Sequence, residues 1–423
     1  MMFTNLFHLI KNNKLVQNSA VFFTGTLVAS FGSYLFHLLL ARFLGVAGYG
    51  EMQSLLSILT IFGIPLGVVS AVIIKYTANY KGAGELGQVR SLLEYFTKKM
   101  LFFAVIFYLV ILAASGYLTG FLNLSSPTPI YILGLGVIVS FLLTPSRSVL
   151  QGVQKFKDLS FNNIIEVFSK IIFALLLVGL GLKINGAIGG IVLGALVAYG
   201  FLFWPMKFLW REPKTALPLP TGEMFRFSGP VFLTLLSLTL MYTVDVILVK
   251  HFMSPELAGQ YGGLAILGRI IFFLSGAIVA VMFTMSAEVH AQSPAASEKV
   301  LHQSLFLVSG CSLLMAAVYF ICPGLVINIM LGSKFLAISG YLGWFGLAMV
   351  AFTLINLLAQ YFLSIHRPKA ASFLLLGVIL QVGLLWRYHE TIGQVVGVMN
   401  IVMTLVLFLF LLYYSAIRKS FRA

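Results

Sequence analysis

Apolar runs of about 20 residues, the length an α-helix needs to cross the hydrocarbon core of a bilayer, recur from one end of this chain to the other. The first extends over 22 residues, from Ala20 to Ala41. In hydrocarbon every backbone N–H and C=O must find its partner within the chain, so such runs fold as helices. Composition agrees: 60% of the 423 residues are hydrophobic, 9% are charged and the mean hydropathy is +1.01. Soluble domains are about half apolar and a quarter charged, and a single aqueous core cannot hide the excess seen here. The chain reads as an all-α integral membrane protein, and soluble enzymes are excluded.

A span of about 20 residues predicts twelve helices, at 19–41, 52–75, 100–120, 129–149, 162–182, 186–206, 229–250, 260–286, 302–322, 340–364, 370–388 and 392–415. The first follows Lys11 and Lys14, is too long for a signal-peptide core and lacks a cleavage site, so it is read as a retained span. The 27 Lys and Arg outnumber the 12 Asp and Glu by 15. In a soluble protein this would point to nucleic acid; here it is first a statement of topology, and no nucleic-acid partner is expected. Twenty-one of the 27 fall on alternate connections that share a face with the termini, while Arg42, Lys183, Lys250, Arg269, Lys334 and Arg387 fall on or towards the other. The positive-inside rule then places both termini in the cytoplasm of a cell-membrane protein.

The segment WREPKTALPLPTGE at 210–223 is the richest in proline and charge and divides the helices six and six. The expected organisation is a cytoplasmic N-terminal amphipathic segment (1–18), a six-helix lobe (19–206), a linker (207–225), a second six-helix lobe (226–416) and a basic tail (417–423). From Glu85 to Lys99, Leu86, Val89, Leu92, Leu93 and Phe96 recur at helical spacing opposite Arg90, Glu94 and Lys98, which predicts a helix lying on the inner leaflet. Cys311 and Cys322, eleven residues apart in one apolar run, would stand about 16 Å apart along a helix and cannot form a disulfide. No ATP-binding loop and no Cys/His cluster with metal-ligand spacing occurs, so neither cofactor nor metal is expected.

The two halves begin alike. A shift of 208 pairs Tyr34 with Tyr242, His37 with Asp245 and Arg42 with Lys250; after a four-residue insertion Tyr49-Gly50 matches Tyr261-Gly262. Six-helix repeats of equal orientation suit a transporter whose substrate path runs between the lobes.

At these residues the chain resembles the polysaccharide-type, Wzx-like oligosaccharide flippases of the multidrug/oligosaccharidyl-lipid/polysaccharide (MOP) superfamily. The resemblance is carried by LLLARFLGVAGYGEMQSLLSI at 38–58, by the stretch from Leu142 to Val197 that opens LLTPSRSVLQGVQKFKDLS, and by YTVDVILVKHFMSPELAGQYGGLAIL at 242–267. The family usually places a basic residue directly after the Asp of the last motif, where this chain has Val246. The resemblance implies a non-enzymatic, alternating-access carrier of polyprenyl-diphosphate-linked oligosaccharide, with polysaccharide-assembly proteins as further partners. Twelve spans favour this branch over the lipid II flippases, which typically have fourteen.

Within the spans, Asp245 is the one acidic residue placed in hydrocarbon, about 24 Å from the inner end of its helix and on a stripe with Thr234, Ser237 and Met241. Arg269 lies about 15 Å below the outer end of the next helix, at a comparable depth, where it either neutralises Asp245 or presents its donor fork to phosphate. Thr26, Ser30, Ser33 and His37 form a stripe ending near Arg42, with His37 either a packing residue or a proton carrier. Arg42 and Lys250 either snorkel to headgroups or meet substrate. Lys75, Arg147 and Lys170 mark inner helix ends, where topology explains them and admission of an anionic headgroup is the second reading. The expected substrate-binding set is therefore Arg42, Lys250, Arg269, His37, Lys75 and Arg147, with Asp245 as the site coupling transport to H+, Na+ or the membrane potential. The alternatives are an ion-coupled multidrug exporter, which would favour acidic and aromatic cavity residues, and a membrane polysaccharide polymerase or ligase, which would carry a large catalytic outer loop.

Overall fold

The computed structural model describes residues 14–216, 221–290, 293–365, 367 and 370–422. Lys11 with most of the N-terminal segment, the middle of the inter-lobe linker at 217–220, Lys369 and Ala423 lie outside the described residues. The principal helices are α1 (Lys14–Phe62), α2 (Ile64–Gly82), α3 (Leu86–Phe121), α4 (Thr128–Gly152), α5 (Phe156–Leu177), α6 (Lys183–Leu202), α7 (Thr221–Phe252), α8 (Pro255–His290), α9 (Pro294–Ile321), α10 (Ser339–Ser364), α11 (Ala371–Arg387) and α12 (Ile392–Arg422). Short helices at Lys207–Trp210 and Pro323–Met330, a π-helical turn at Val178–Leu182 and a 3-10 helix at Ser333–Ile338 complete the described elements, and no strand occurs among them.

Among the described residues nine helical stretches are long and apolar enough to cross a membrane. Two are compound. Thr24–Gly82 runs for 59 residues, about 90 Å of helix at 1.5 Å per residue and far beyond one bilayer thickness. It bends at Gly45, whose φ of 70° and ψ of −179° lie outside the helical region and suit a residue without Cβ. Phe156–Leu202 folds back on itself: glycines at 186, 190 and 194 of α6 meet Leu177, Ala174 and Lys170 of α5 in reverse order. The two helices are therefore antiparallel and packed nearly backbone to backbone.

Packing divides the chain into two compact units, one of residues 1–44 and 65–224, the other of residues 45–64 and 225–423. In the first, α3 packs on α4, α4 on α6 and α5 on α6. In the second, α9 packs on α10, α10 on α12 and α11 on α12, the same order six helices later. α10 is the central helix of its unit, with 83% of its apolar window buried, against 17% for α3. The open face of α3 carries Phe102, Leu109, Val110 and Tyr117, which have bilayer for solvent.

The amphipathic stretch at 85–99 departs from expectation. It is the first part of α3, continuous with the span, and Val89, Leu92, Leu93 and Phe96 are buried against Ile73, Val149, Leu150, Leu202 and Leu209 of the same unit. Its apolar stripe serves the protein core instead of the leaflet, because the ends of α4 and α6 stand above it. Cys311 and Cys322 are both free and exposed.

In the second unit the repeat-related Tyr-Gly turns meet each other. A Cβ on Gly50 would lie 2.6 Å from the backbone nitrogen of Gly259, and one on Gly259 would run into the Val46 carbonyl. Replacing Gly259 with Ala therefore forces two backbones apart, and a loss of about 1–3 kcal/mol is expected, read as a lower melting temperature in detergent beside an unchanged Gly276→Ala control in open space.

Candidate functional site

A charged residue drawn into an apolar bundle must be paired or solvated, so the polar groups of each unit arrange themselves around their few charges. In the second unit these lie on the latter part of α1, on α7 and on α8. Asp245 is fully buried on α7 and Arg269 is 7% exposed on α8. Arg269 Nη2 stands 3.5 Å from Asp245 Oδ1, and the Tyr261 hydroxyl donates to Asp245 Oδ2 at 2.7 Å. The guanidinium also donates to the Tyr242 carbonyl and lies 5.4 Å over the Tyr242 ring, which is packed against Phe272 and Phe352. Two atoms of this pair remain without hydrogen-bond partners among the described residues: Asp245 Oδ1 and Arg269 Nε.

Beside it, Lys250 Nζ is 3.9 Å from Glu51 Oε1, with the lysine side chain 1% exposed. Gln53, two residues beyond Glu51, donates from Nε2 to the Tyr49 hydroxyl at 3.1 Å and to the Gly262 carbonyl at 3.4 Å. The stripe of Thr234, Ser237 and Met241 leading to Asp245 is buried along its length, and Gln381 donates to the Met241 carbonyl at 3.0 Å.

The first unit holds a second constellation. Asn162, Glu166 and Lys170 recur at four-residue spacing along α5 and so share one face. Arg147 of α4 reaches this face twice, from Nη2 to Glu166 Oε2 at 2.5 Å and from Nε to Asn162 Oδ1 at 2.7 Å, while Asn162 Nδ2 donates to the Ala198 carbonyl. Lys170 Nζ donates to Ser33 Oγ at 3.2 Å and lies 5.1 Å over the Phe36 ring. His37 meets Phe36 edge to face at 5.5 Å, and the helices approach closely because Gly25 and Gly32 of α1 sit against Ser160 and Val167.

The structure thus brings Asp245 and Arg269 together, and it places Arg147 and Lys170 on one polar face. Arg42 and Lys75 are exposed, with Lys75 5.9 Å over the Tyr76 ring. Of the two readings of Lys250, snorkelling does not fit: it is buried against Glu51, because the 45–64 stretch brings a carboxylate to the end of α7. Glu51 and Glu166 are further carboxylates held by cations on the helices. The four-residue spacing of Asn162, Glu166 and Lys170 was a signal available in the sequence, whereas nothing local marks Glu51 as the partner of a lysine 199 positions away. The Arg147–Glu166 pair is partly buried, so a double-mutant cycle with Arg147→Gln and Glu166→Gln should return a coupling of about 1–3 kcal/mol in detergent unfolding, the double mutant recovering stability lost by Arg147→Gln alone.

The profile of the family described as "Polysaccharide biosynthesis protein" matches residues 15–290, well over half of the chain. A second profile, MatE, matches residues 230–388. An uncharacterized membrane protein of Methanocaldococcus jannaschii is 25% identical over 291 residues, 62% of this chain; the match spans 66%, just under two thirds, of that relative. Among solved structures, an inward-facing multidrug resistance MATE family transporter of the MOP superfamily superposes with a TM-score of 0.73 at 13% identity, covering 90% of this chain and 95% of that one. A MOP superfamily transporter from Pyrococcus furiosus Vc1 (DSM3638), described as having a binding pocket of reverse polarity that suggests a different function, gives 0.68 at 15% identity over 96% of both chains. Both of these solved neighbours are described as transporters. The chain belongs to the family described as polysaccharide biosynthesis protein, and its fold is the one seen in solved transporters of the MOP superfamily.

Proposed function

We propose that this protein is an alternating-access flippase that moves polyprenyl-diphosphate-linked oligosaccharide from the inner to the outer leaflet of the cell membrane for cell-surface polysaccharide synthesis. Sugar hydroxyls and a diphosphate cannot enter hydrocarbon without losing their hydrogen bonds and burying charge, so a protein route must supply donors and cations. The observation that carries the reading is the buried Arg269–Asp245 pair, whose hydrogen bonding is incomplete: Arg269 Nε makes no hydrogen bond among the described residues, and Asp245 Oδ1 has only the longer ion-pair contact with Arg269 Nη2 at 3.5 Å. A guanidinium exchanging part of its contact with Asp245 for a phosphate oxygen is the step this arrangement favours. Arg42, His37, Lys75, Arg147 and Lys250 complete the proposed headgroup path. Asp245, released from Arg269 when phosphate arrives, is the proposed coupling group for H+, Na+ or the membrane potential.

The same proposal includes two six-helix lobes, both termini in the cytoplasm, and contacts with polysaccharide-assembly proteins. Counting Thr24–Gly82 and Phe156–Leu202 as two crossings each and adding the shorter apolar helix Ala371–Arg387 supports twelve crossings. Reporter fusions at Ser125 and Pro218 should then report opposite sides.

The MatE match over 230–388 favours a second reading, an ion-coupled exporter of organic cations. Proteoliposomes discriminate the two. Fluorescent lipid-linked oligosaccharide should cross in the presence of the wild-type protein, and ethidium should not; the reverse outcome establishes the exporter. Asp245→Asn and Arg269→Gln should each fold and lose flipping, with no recovery in the double mutant. If the pair is only structural, each single mutant loses about 3–5 kcal/mol of stability and the double mutant restores yield.

A further inference from the structure

Where α3 leaves its amphipathic start, a cavity of about 230 Å³ opens in the first unit. Its floor is apolar, built from Leu93, Leu202 and Met206, with the ring of Trp210 at one side. Its rim is polar: Glu94, Lys98 and Ser146. One edge is a strap of chain at 210–215 fastened across the helix. Arg90 Nη1 donates to the Trp210 carbonyl at 3.0 Å and to the Glu212 carbonyl at 2.5 Å. Ser91 Oγ donates to the Thr215 carbonyl at 2.8 Å, and Lys214 pairs with Glu94 at 2.7 Å.

Charge around this cavity is unbalanced. The 85–99 stretch and the strap carry Arg90, Lys98, Lys99, Arg211 and Lys214 against Glu85, Glu94 and Glu212. Glu94 is already held by both Arg90 and Lys214, so Lys98, which is exposed on the rim, makes no ion pair among the described residues. An apolar floor of this size beneath an unneutralised cation, at the end of a membrane-spanning helix, matches one chemistry: an acyl chain below and an anionic headgroup above.

We propose that this cavity is a binding site for an anionic phospholipid of the surrounding bilayer, whose phosphate meets Lys98 and whose chain lies along Leu93, Leu202 and Trp210. This binding does not depend on what is transported. Because Trp210 opens the strap, lipid in the cavity also braces the chain segment that leaves the first unit.

Trp210 provides the readout. The full-length protein is placed in nanodiscs of phosphatidylcholine containing a small fraction of brominated phosphatidylglycerol or, separately, brominated phosphatidylcholine, and the Trp210 signal is taken as the difference between wild type and Trp210→Phe. Brominated phosphatidylglycerol should quench this component preferentially. Lys98→Gln, at an exposed position that leaves the fold intact, should weaken the apparent affinity about fivefold, with Lys157→Gln, elsewhere on the same unit, as the unchanged control. Equal quenching by both lipids would reduce the cavity to ordinary annular contact and overturn the proposal. So would a quenching curve unmoved by Lys98→Gln, or relief of quenching by unlabelled polyprenyl diphosphate but not by unlabelled phosphatidylglycerol.

Discussion

The scarcity of polar partners inside a bilayer governs this molecule. Hydrocarbon offers no hydrogen bonds, so the backbone satisfies itself as helix, and each charge that enters the bundle organises its own surroundings. Asp245 is met by Arg269 and Tyr261, Lys250 by Glu51, and Arg147 by Glu166 and Asn162. Glycine has the complementary role. Helices in lipid gain little from burying apolar surface against one another, so close approach depends on small residues, as where α5 and α6 meet along 186, 190 and 194. Rigid glycine seams and a few paired charges together define each unit.

Both units repeat one packing order, yet their charges differ. The first unit gathers Arg147, Glu166 and Lys170 on a single face; the second holds two separate pairs. A duplicated scaffold with diverged polar content fits a transporter in which one half supplies affinity and the other responds to what is bound. In the proposed flippase cycle the incomplete hydrogen bonding of Arg269 and Asp245 would serve that second role, since a fully satisfied pair would have nothing to exchange.

Much of this was legible in the sequence for simple reasons. Lone charges in long apolar runs stand out, and a rise of about 1.5 Å per residue was enough to set Asp245 and Arg269 at one depth on consecutive helices. Gly50, one member of the Tyr-Gly repeat, lies at a close backbone crossing of the second unit, against Gly259. Periodicity failed where it reports only that a face is apolar, not what covers it: the stripe from Leu86 to Phe96 looks the same whether lipid or Val149 and Leu202 lies against it. Pairing across long sequence distance failed too, since Glu51 and Lys250 carry no local mark of each other. The same holds for the 45–64 stretch, whose packing with residues beyond 225 depends on the bend at Gly45.

That bend sets a schedule for biosynthesis. Gln53 and its partner carbonyl at Gly262 are 209 residues apart. At a translation rate of about 5–20 residues per second, the first half of this contact waits about 10–40 s for the second to be made. Throughout that interval the Gly50 face, shaped for backbone contact with Gly259, lies in the membrane unmatched. The second unit can therefore close only after synthesis has passed α8.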